Sequence, residues 1–457
     1  MTSISDLQNN DQMLESRIDY FFKKLNLSKT LLKCNFYKES GIQCVTILKA
    51  LFSLVFQSKN LYRALQNQDL PFKKNTAYRF LNNSRFNWEK LLKLIMTRLI
   101  LFIDQLTGEN RQCVLIFDDS LFSRNRSKNV ELLAKVFDHT SHKFCKGFRM
   151  LTMGWTDGST FMPVSFNLMS SPKDENVLCK ATTMDKRTLA HKRRKQARQS
   201  TTDVMLTMLR SAKDIPAKFV LFDSWFTMPK TVIRVKRENR DVIGMIRITE
   251  KIHYQYQSKW QDVKSIYQKI KKSSDKKEDI IGAACVKLRE DKTATPDEFI
   301  DAKIVFVKDR SSNNWLALLC TDISVSDEEI VRIYGKRWDI EVFFKVCKSY
   351  LALAKEYQGR SYDMQVAATT IVFLRYAMLS MEARNATDDR TIGDLFFYLK
   401  EELQDIKLSE SLMLLVDTLR QALSKLPLLS QEMANKIMNA FLNTIPHPLK
   451  QKLLLCA

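Results

Sequence analysis

Glycine and proline are scarce in this chain, 10 and 9 among 457 residues, which excludes long flexible linkers. Cysteine is present nine times but never as a C-x-x-C pair. An odd, unpatterned set running from Cys34 to Cys456 argues against a disulfide framework and for reduced thiols. Three glycine-dependent motifs are missing as well: G-x-x-x-x-G-K-[ST], G-x-G-x-x-G and G-x-S-x-G. Their absence disfavours nucleotide-cofactor chemistry and a serine-hydrolase elbow. No segment suggests a membrane partner. The apolar run AATTIVFLRYAMLSM, 367–381, is too short to span a bilayer and is interrupted by Arg375. The opening MTSISDLQNNDQMLESR has neither a charged n-region nor an apolar h-region.

Acidic residues are also in deficit, 51 against 73 Lys and Arg, for a formal net charge of +22. Such an excess favours a polyanionic partner, whose phosphates the cations neutralise with release of counterions. Otherwise the composition, 45% hydrophobic and 27% charged, is that of an ordinary globular protein with a sizeable core.

The texture changes along the chain. Residues 1–108 carry apolar residues at helical spacing, as in VTILKALFSLVFQSKNLYRALQ and NWEKLLKLIMTRLILFIDQL. They are expected to form a helical DNA-binding region. Within it Thr76, Tyr78 and Arg79 sit on a short helix that reads either as the reading helix of a helix-turn-helix or as an exposed connector. From 109 to 239 the pattern is strand, strand, strand, helix, strand, helix, a mixed α/β core. Residues 240–325 read as a mostly β insertion, 326–360 as a return to helix, and 361–457 as a helical region suited to an oligomer contact. The stretch DHTSHKFC offers Asp138, His139, His142 and Cys145. Without a second ligand pair it reads as polar residues around a strand rather than as zinc ligands.

Two core strands end in aspartate in nearly the same wording, VLIFDDS (114–120) and FVLFDSWF (219–226). A carboxylate at the end of a buried strand is costly unless paired or bound to a cation. Two of them on neighbouring strands suit a hard divalent ion such as Mg²⁺ or Mn²⁺. A third carboxylate is offered by EEIVRIYGKRWDIEVFFKVCKSYL (328–351). On one continuous helix Tyr334, Arg337, Glu341 and Lys348 fall within an arc of about 60°. Either the stripe is a solvated ion-pair face, or Glu341 joins the two aspartates. Trp225 is expected to pack in the core, and so is Trp315.

The spacing Y-x2-R-x3-E-x6-K, carried here by Tyr334, Arg337, Glu341 and Lys348 after two strand-end aspartates, resembles the signature of DDE transposases of the insertion-sequence-four group. The resemblance covers roughly 111–360 and implies a ribonuclease H-like catalytic core interrupted by a β insertion. It implies that Asp118, Asp223 and Glu341 are catalytic and hold two divalent ions, Mg²⁺ or Mn²⁺. Asp119 stays open in place of Asp118, because one residue of strand register exchanges their faces. Tyr334, Arg337 and Lys348 would then lie along DNA. The basic tract with Lys192, Arg193, Arg194 and Lys195 would bind phosphates; seven Lys or Arg and no acid fall between 186 and 198. The implied protein is a bacterial, cytoplasmic, nucleoid-associated transposase. It would bind double-stranded DNA at terminal inverted repeats, cut it, and join the ends to target DNA as a homodimer. The alternatives are a related metal-dependent nuclease and a non-catalytic or domesticated DNA-binding descendant.

Overall fold

A computed structural model describes residues 16–450, apart from 107, 109–110, 139–140, 274–278, 310–313, 358, 386–390, 427–428 and 447–448. Six helices come first: α1 Arg17–Lys24, α2 Leu27–Lys33, α3 Cys44–Ser53, α4 Leu61–Gln66, α5 Lys74–Leu81 and α6 Trp88–Gln105. Side chains cap three of these helices in the expected way, Ser16, Asn60 and Asn87; Asn87, for example, accepts from the Lys90 N–H at 2.9 Å at the start of α6. The α5 helix turns Ala77, Phe80 and Leu81 inward. All six helices feed one hydrophobic core that is continuous with that of the sheet, so the region is no separately packed module.

The sheet begins with β1 Val114–Ser123, β2 Ala134–Asp138, β3 Lys143–Thr156 and β4 Phe161–Met169. Strand β3 pairs antiparallel with β1 along one edge. Its other edge pairs with β2 near its start and with β4 near its end. Helices α7 Leu189–Gln196 and α8 Thr201–Ser211 lead to β5 Phe219–Phe222, which lies parallel to β1. Helix α9 Pro229–Lys236 leads to β6 Asp241–Met245, parallel to β5. The order β4-β3-β1-β5-β6, three antiparallel strands followed by two parallel ones, is the ribonuclease H-like arrangement expected from the sequence. β6 is its fifth strand, although the sequence pattern groups 241–245 with the insertion that follows.

After β6 come β7 His253–Tyr256, β8 Lys259–Asp262, α10 Val263–Ser273, β9 Ile280–Leu288, β10 Ile300–Lys308 and β11 Trp315–Cys320. They extend the same sheet, because β11 pairs antiparallel with β6. Trp315 stacks on Tyr267 at 4.2 Å and meets Phe306 edge-on, the packing role expected of it.

The chain closes with α11 Asp327–Gly335, α12 Trp338–Ser349, α13 Tyr362–Asn385, α14 Ile392–Ser424 and α15 Gln431–Thr444. Ser326 caps α11 by accepting from the Glu329 N–H, with three acids in the first turn. The helix read as continuous from 326 is two helices. It breaks at Lys336–Arg337, just after Gly335, where the backbone turns through tight i+3 bonds. Glycine weakens a helix interior, and Lys336 uses the break to bond the carbonyls of Gln112 and Asp157. The residues Tyr362–Arg384 are long and apolar enough to cross a membrane, but their apolar window is wholly buried inside the protein. Arg375 at its centre donates to both oxygens of Glu356 and to the Phe52 and Leu51 carbonyls, which identifies a core helix with an internally compensated charge.

Candidate active site

The parallel ladder of β1 and β5 pairs Ile116 with Leu221. Two residues further along each strand stand Asp118 and Asp223. Side chains alternate along a strand, and neighbouring strands lie about 4.8 Å apart, so both carboxylates leave the same face at the same level. Asp223 sits one residue beyond the end of β5, where its Oδ1 accepts from the N–H groups of Trp225 and Phe226 at 3.0 and 3.3 Å. That turn swings Trp225 outward and returns Phe226 to the core: Trp225 is 55% exposed and Phe226 only 4%. The expectation that Trp225 packs in the core is therefore corrected, and the Asp223 turn is the reason.

Asp119 leaves the opposite face of β1. Arg149 of β3 binds both of its oxygens, with Nε at 2.7 Å. Asp118 instead faces Arg337, whose Nη1 is 3.4 Å from its Oδ2. The same guanidinium donates through Nη2 to Glu341 on α12. One cation thus joins two of the three carboxylates picked out in the sequence. Lys348 lies further along α12 and donates to Ser120 Oγ at 2.6 Å. Tyr334, at the end of α11, points its buried hydroxyl into this region close to the Arg337 guanidinium, without a hydrogen bond of good geometry. Despite the helix break, the four signature side chains gather against the Asp118–Ser120 segment.

The charges are strained against one another. Burial first, then the neighbouring Asp223 charge, pushes the Asp118 carboxyl up to about 7, with Arg337 opposing. Asp223 is also raised, chiefly by burial, although two backbone N–H groups favour its charged form. Burial raises the Tyr334 hydroxyl to about 12 and lowers Lys348.

Several supports of the site are invisible in the motif. Lys336 fastens the helix junction to the sheet over Gly158, which adopts φ +93° and whose missing Cβ would lie 3.1 Å from Lys336 Cε. Asp339 accepts from Thr156 Oγ1 at 2.6 Å and ties α12 to the end of β3. A lone arginine inside the apolar run of β3 was the available signal for Arg149; nothing local marks Thr156 or Lys336.

The basic tract is divided. Lys192 and Lys195 are exposed on α7. Arg193 and Arg194 are buried, 8% and 5% exposed, which corrects the reading of these two as solvent-facing phosphate ligands. Arg193 donates to Asp363 and to the Phe86 carbonyl, and Arg194 to both oxygens of Glu131. Two cations buried among partners drawn from three distant segments are structural ties.

Among the described residues, no three of His, Cys, Asp and Glu converge closely enough to hold a metal ion as they stand; His139 of the DHTSHKFC stretch lies outside those residues. The donor types nevertheless fit a hard divalent cation: three carboxylates, two of them raised in pKa, with a guanidinium between Asp118 and Glu341 standing where positive charge is required.

A family model described as DDE superfamily endonuclease matches residues 42–296, more than half of the chain. The match contains Asp118 and Asp223 and ends before Glu341. No curated protein matches the sequence.

Proposed function

The chain belongs to the DDE superfamily of endonucleases, and from that premise we propose that it is a DNA transposase of the insertion-sequence-four type. In this reading it binds the terminal inverted repeats of its element, cleaves there, and joins the ends to target DNA. The observation that carries the reading is the level placement of Asp118 and Asp223 on adjacent parallel strands, with Glu341 linked to Asp118 through Arg337.

Asp118, Asp223 and Glu341 are the proposed holders of two divalent ions, Mg²⁺ or Mn²⁺, with Asp119 assigned to Arg149 instead. Such ions, when bound, supply a nucleophile from water or a 3′-hydroxyl and stabilise the departing oxygen. The chain's own residues do the positioning. Arg337 balances the carboxylates in the protein alone and is then available to a phosphate oxygen, which its planar fork suits. Lys348 offers a second charge beside Ser120. Tyr334 presents its hydroxyl to the same space, beside Arg337. Asp119 and Arg149 brace β1 so that Asp118 keeps its face. No protein nucleophile is required, because placement and charge stabilisation carry a phosphoryl transfer.

The test is cleavage of labelled DNA bearing the element's flanking inverted repeats, with Mg²⁺ or Mn²⁺, by the wild type and by Glu341→Ala. Metal-dependent nicking at the repeat end that disappears in the variant supports the reading. Salt-sensitive binding without cleavage by the wild type under either metal points to a DNA-binding descendant, the second reading. In that case the closure of Arg337 over two carboxylates is the resting state of a retired site.

A further inference from the structure

The floor formed by Asp119, Ser120, Arg149 and Lys348 opens into a cleft of about 1380 Å³ that follows the end of β1 and its connection to β2. Seven lining residues are Arg or Lys and two are Asp. Arg124 is spent on the wall, donating to the Ala354 carbonyl. Arg126, Lys128 and Arg360 are exposed and form no ion pair among the described residues. A second hollow of about 640 Å³ adjoins it, sharing Leu121, Ser123, Asn125 and Asp138, and adds Lys135, Lys143 and Lys146.

The hairpin bounding this hollow has an unusual face. Its register places Lys135 opposite Lys146 and Phe137 opposite Phe144, and alternation puts all four on one side. Like charges directly opposite in an antiparallel pair are unfavourable. Phe144 is 72% exposed, held edge-on against Phe137 at 5.3 Å. The lysine pair is unfavourable in the isolated protein, and Phe144, although it packs on Phe137, leaves most of its ring in water. A polyanion that also carries flat apolar rings satisfies both.

We propose that the cleft and this hairpin face bind an unpaired DNA strand leading away from the cut site, with phosphates on Arg126, Lys128, Arg360, Lys135 and Lys146 and one base stacked on Phe144. The inference rests on the DNA-cleaving reading above and adds the path and the form of the substrate. The strand is unpaired because an exposed phenyl ring needs an uncovered base face, which a stacked duplex lacks. Ser120, two residues beyond Asp118 on β1, and Lys348 are hydrogen-bonded to each other; they line the inner end of the cleft and bring it alongside the candidate site.

The test uses the full chain in EDTA and fluorescence anisotropy with three DNAs: a blunt inverted-repeat duplex, and the same duplex with a single-stranded extension of about ten nucleotides on either strand at the cleaved end. The wild type is expected to bind one extended duplex about tenfold more tightly than the blunt one. Phe144→Ala removes that preference and leaves blunt-duplex affinity unchanged, and Phe144→Trp retains it. The triple change Arg126→Ala, Lys128→Ala, Arg360→Ala lowers the slope of log affinity against log salt by about 2 on the extended DNA. All of these positions are exposed, and unaltered thermal midpoints verify folding. Equal wild-type binding of all three DNAs, or a preference that survives Phe144→Ala, overturns the strand proposal while leaving the DNA reading intact. Failure of the wild type to bind any of the three at low salt overturns both.

Discussion

Two clusters in this protein are built from the same ingredients, arginines beside carboxylates, and they behave in opposite ways. Around α7, Arg193, Arg194, Glu131 and Asp363 are all buried, yet each charge is met. Arg194 holds both oxygens of Glu131 and lies 2.8 Å from Asp363, and Glu131 also accepts from the backbone of Thr182 and Tyr362. Burial pushes Glu131 up, but these bonds hold it below the usual carboxylate range. Around Arg337 one guanidinium serves Asp118 and Glu341 while Asp223 crowds alongside, and Asp118 is pushed up to about 7. The first cluster is complete and locks segments together. The second has a shortage of positive charge that a divalent ion and a phosphodiester would share.

The largest expected effect follows from that shortage. Asp118→Asn, Asp223→Asn and Glu341→Gln should each reduce DNA cleavage by at least about 1000-fold without unfolding the protein. A gel assay showing ordinary cleavage by any one of them would remove that residue from the site. Arg194→Ala should do the reverse, acting on stability: about 3–5 kcal/mol lost in urea unfolding, because Glu131 is left buried without a cation while Asp363 keeps only Arg193. A loss under about 1 kcal/mol, the range of surface pairs, would break the contrast between the clusters.

Divalent ions sharpen the comparison further. Mg²⁺ or Mn²⁺ at about 100 times its dissociation constant should stabilise the wild type by about 2.7 kcal/mol, read as a rise in thermal midpoint. Asp118→Asn combined with Asp223→Asn should abolish the rise; its persistence would place the ions elsewhere.

The smallest effect is in pH dependence. In metal-free buffer the folded Asp118 keeps its proton up to about pH 7, whereas the unfolded residue loses it near about 4. Folding stability therefore falls across that window as pH rises. Asp118→Asn should match the wild type below about pH 4 and be the more stable of the two above neutrality. Glu131 has the opposite sign: its contribution is full above the unfolded carboxylate value of about 4.3 and is lost on acidification. Equal pH profiles for wild type and Asp118→Asn would show that the acids are not crowded.

Much of the candidate site could be read from the chain because its signals are local. VLIFDDS and FVLFDSWF announce strands that end in acid, and a fixed spacing after them carries Arg337, Glu341 and Lys348. The choice between Asp118 and Asp119 could not be read, since it depends on which face of β1 meets Arg149 and which meets Arg337. Trp225 was misread for a related reason: the hydrogen bonds of Asp223 decide whether Trp225 or Phe226 turns inward. The tract at 186–198 looked uniform because composition shows charge and not its partners. Glu131 lies 63 residues from Arg194, and Asp363 lies 170 from Arg193.

By itself, then, the sequence showed an excess of cations, the alternation of helical, mixed and mostly β stretches through its periodicities, and the acids available through their positions at strand ends. The tertiary structure alone decided which arginines are buried ties and which cations stay exposed. It also placed Arg337 between two carboxylates, carried the sheet unbroken through the insertion, and set Lys135 opposite Lys146 beside an exposed Phe144. Periodicity is written in neighbours along the chain, whereas compensation of charge is settled between residues that only folding brings together.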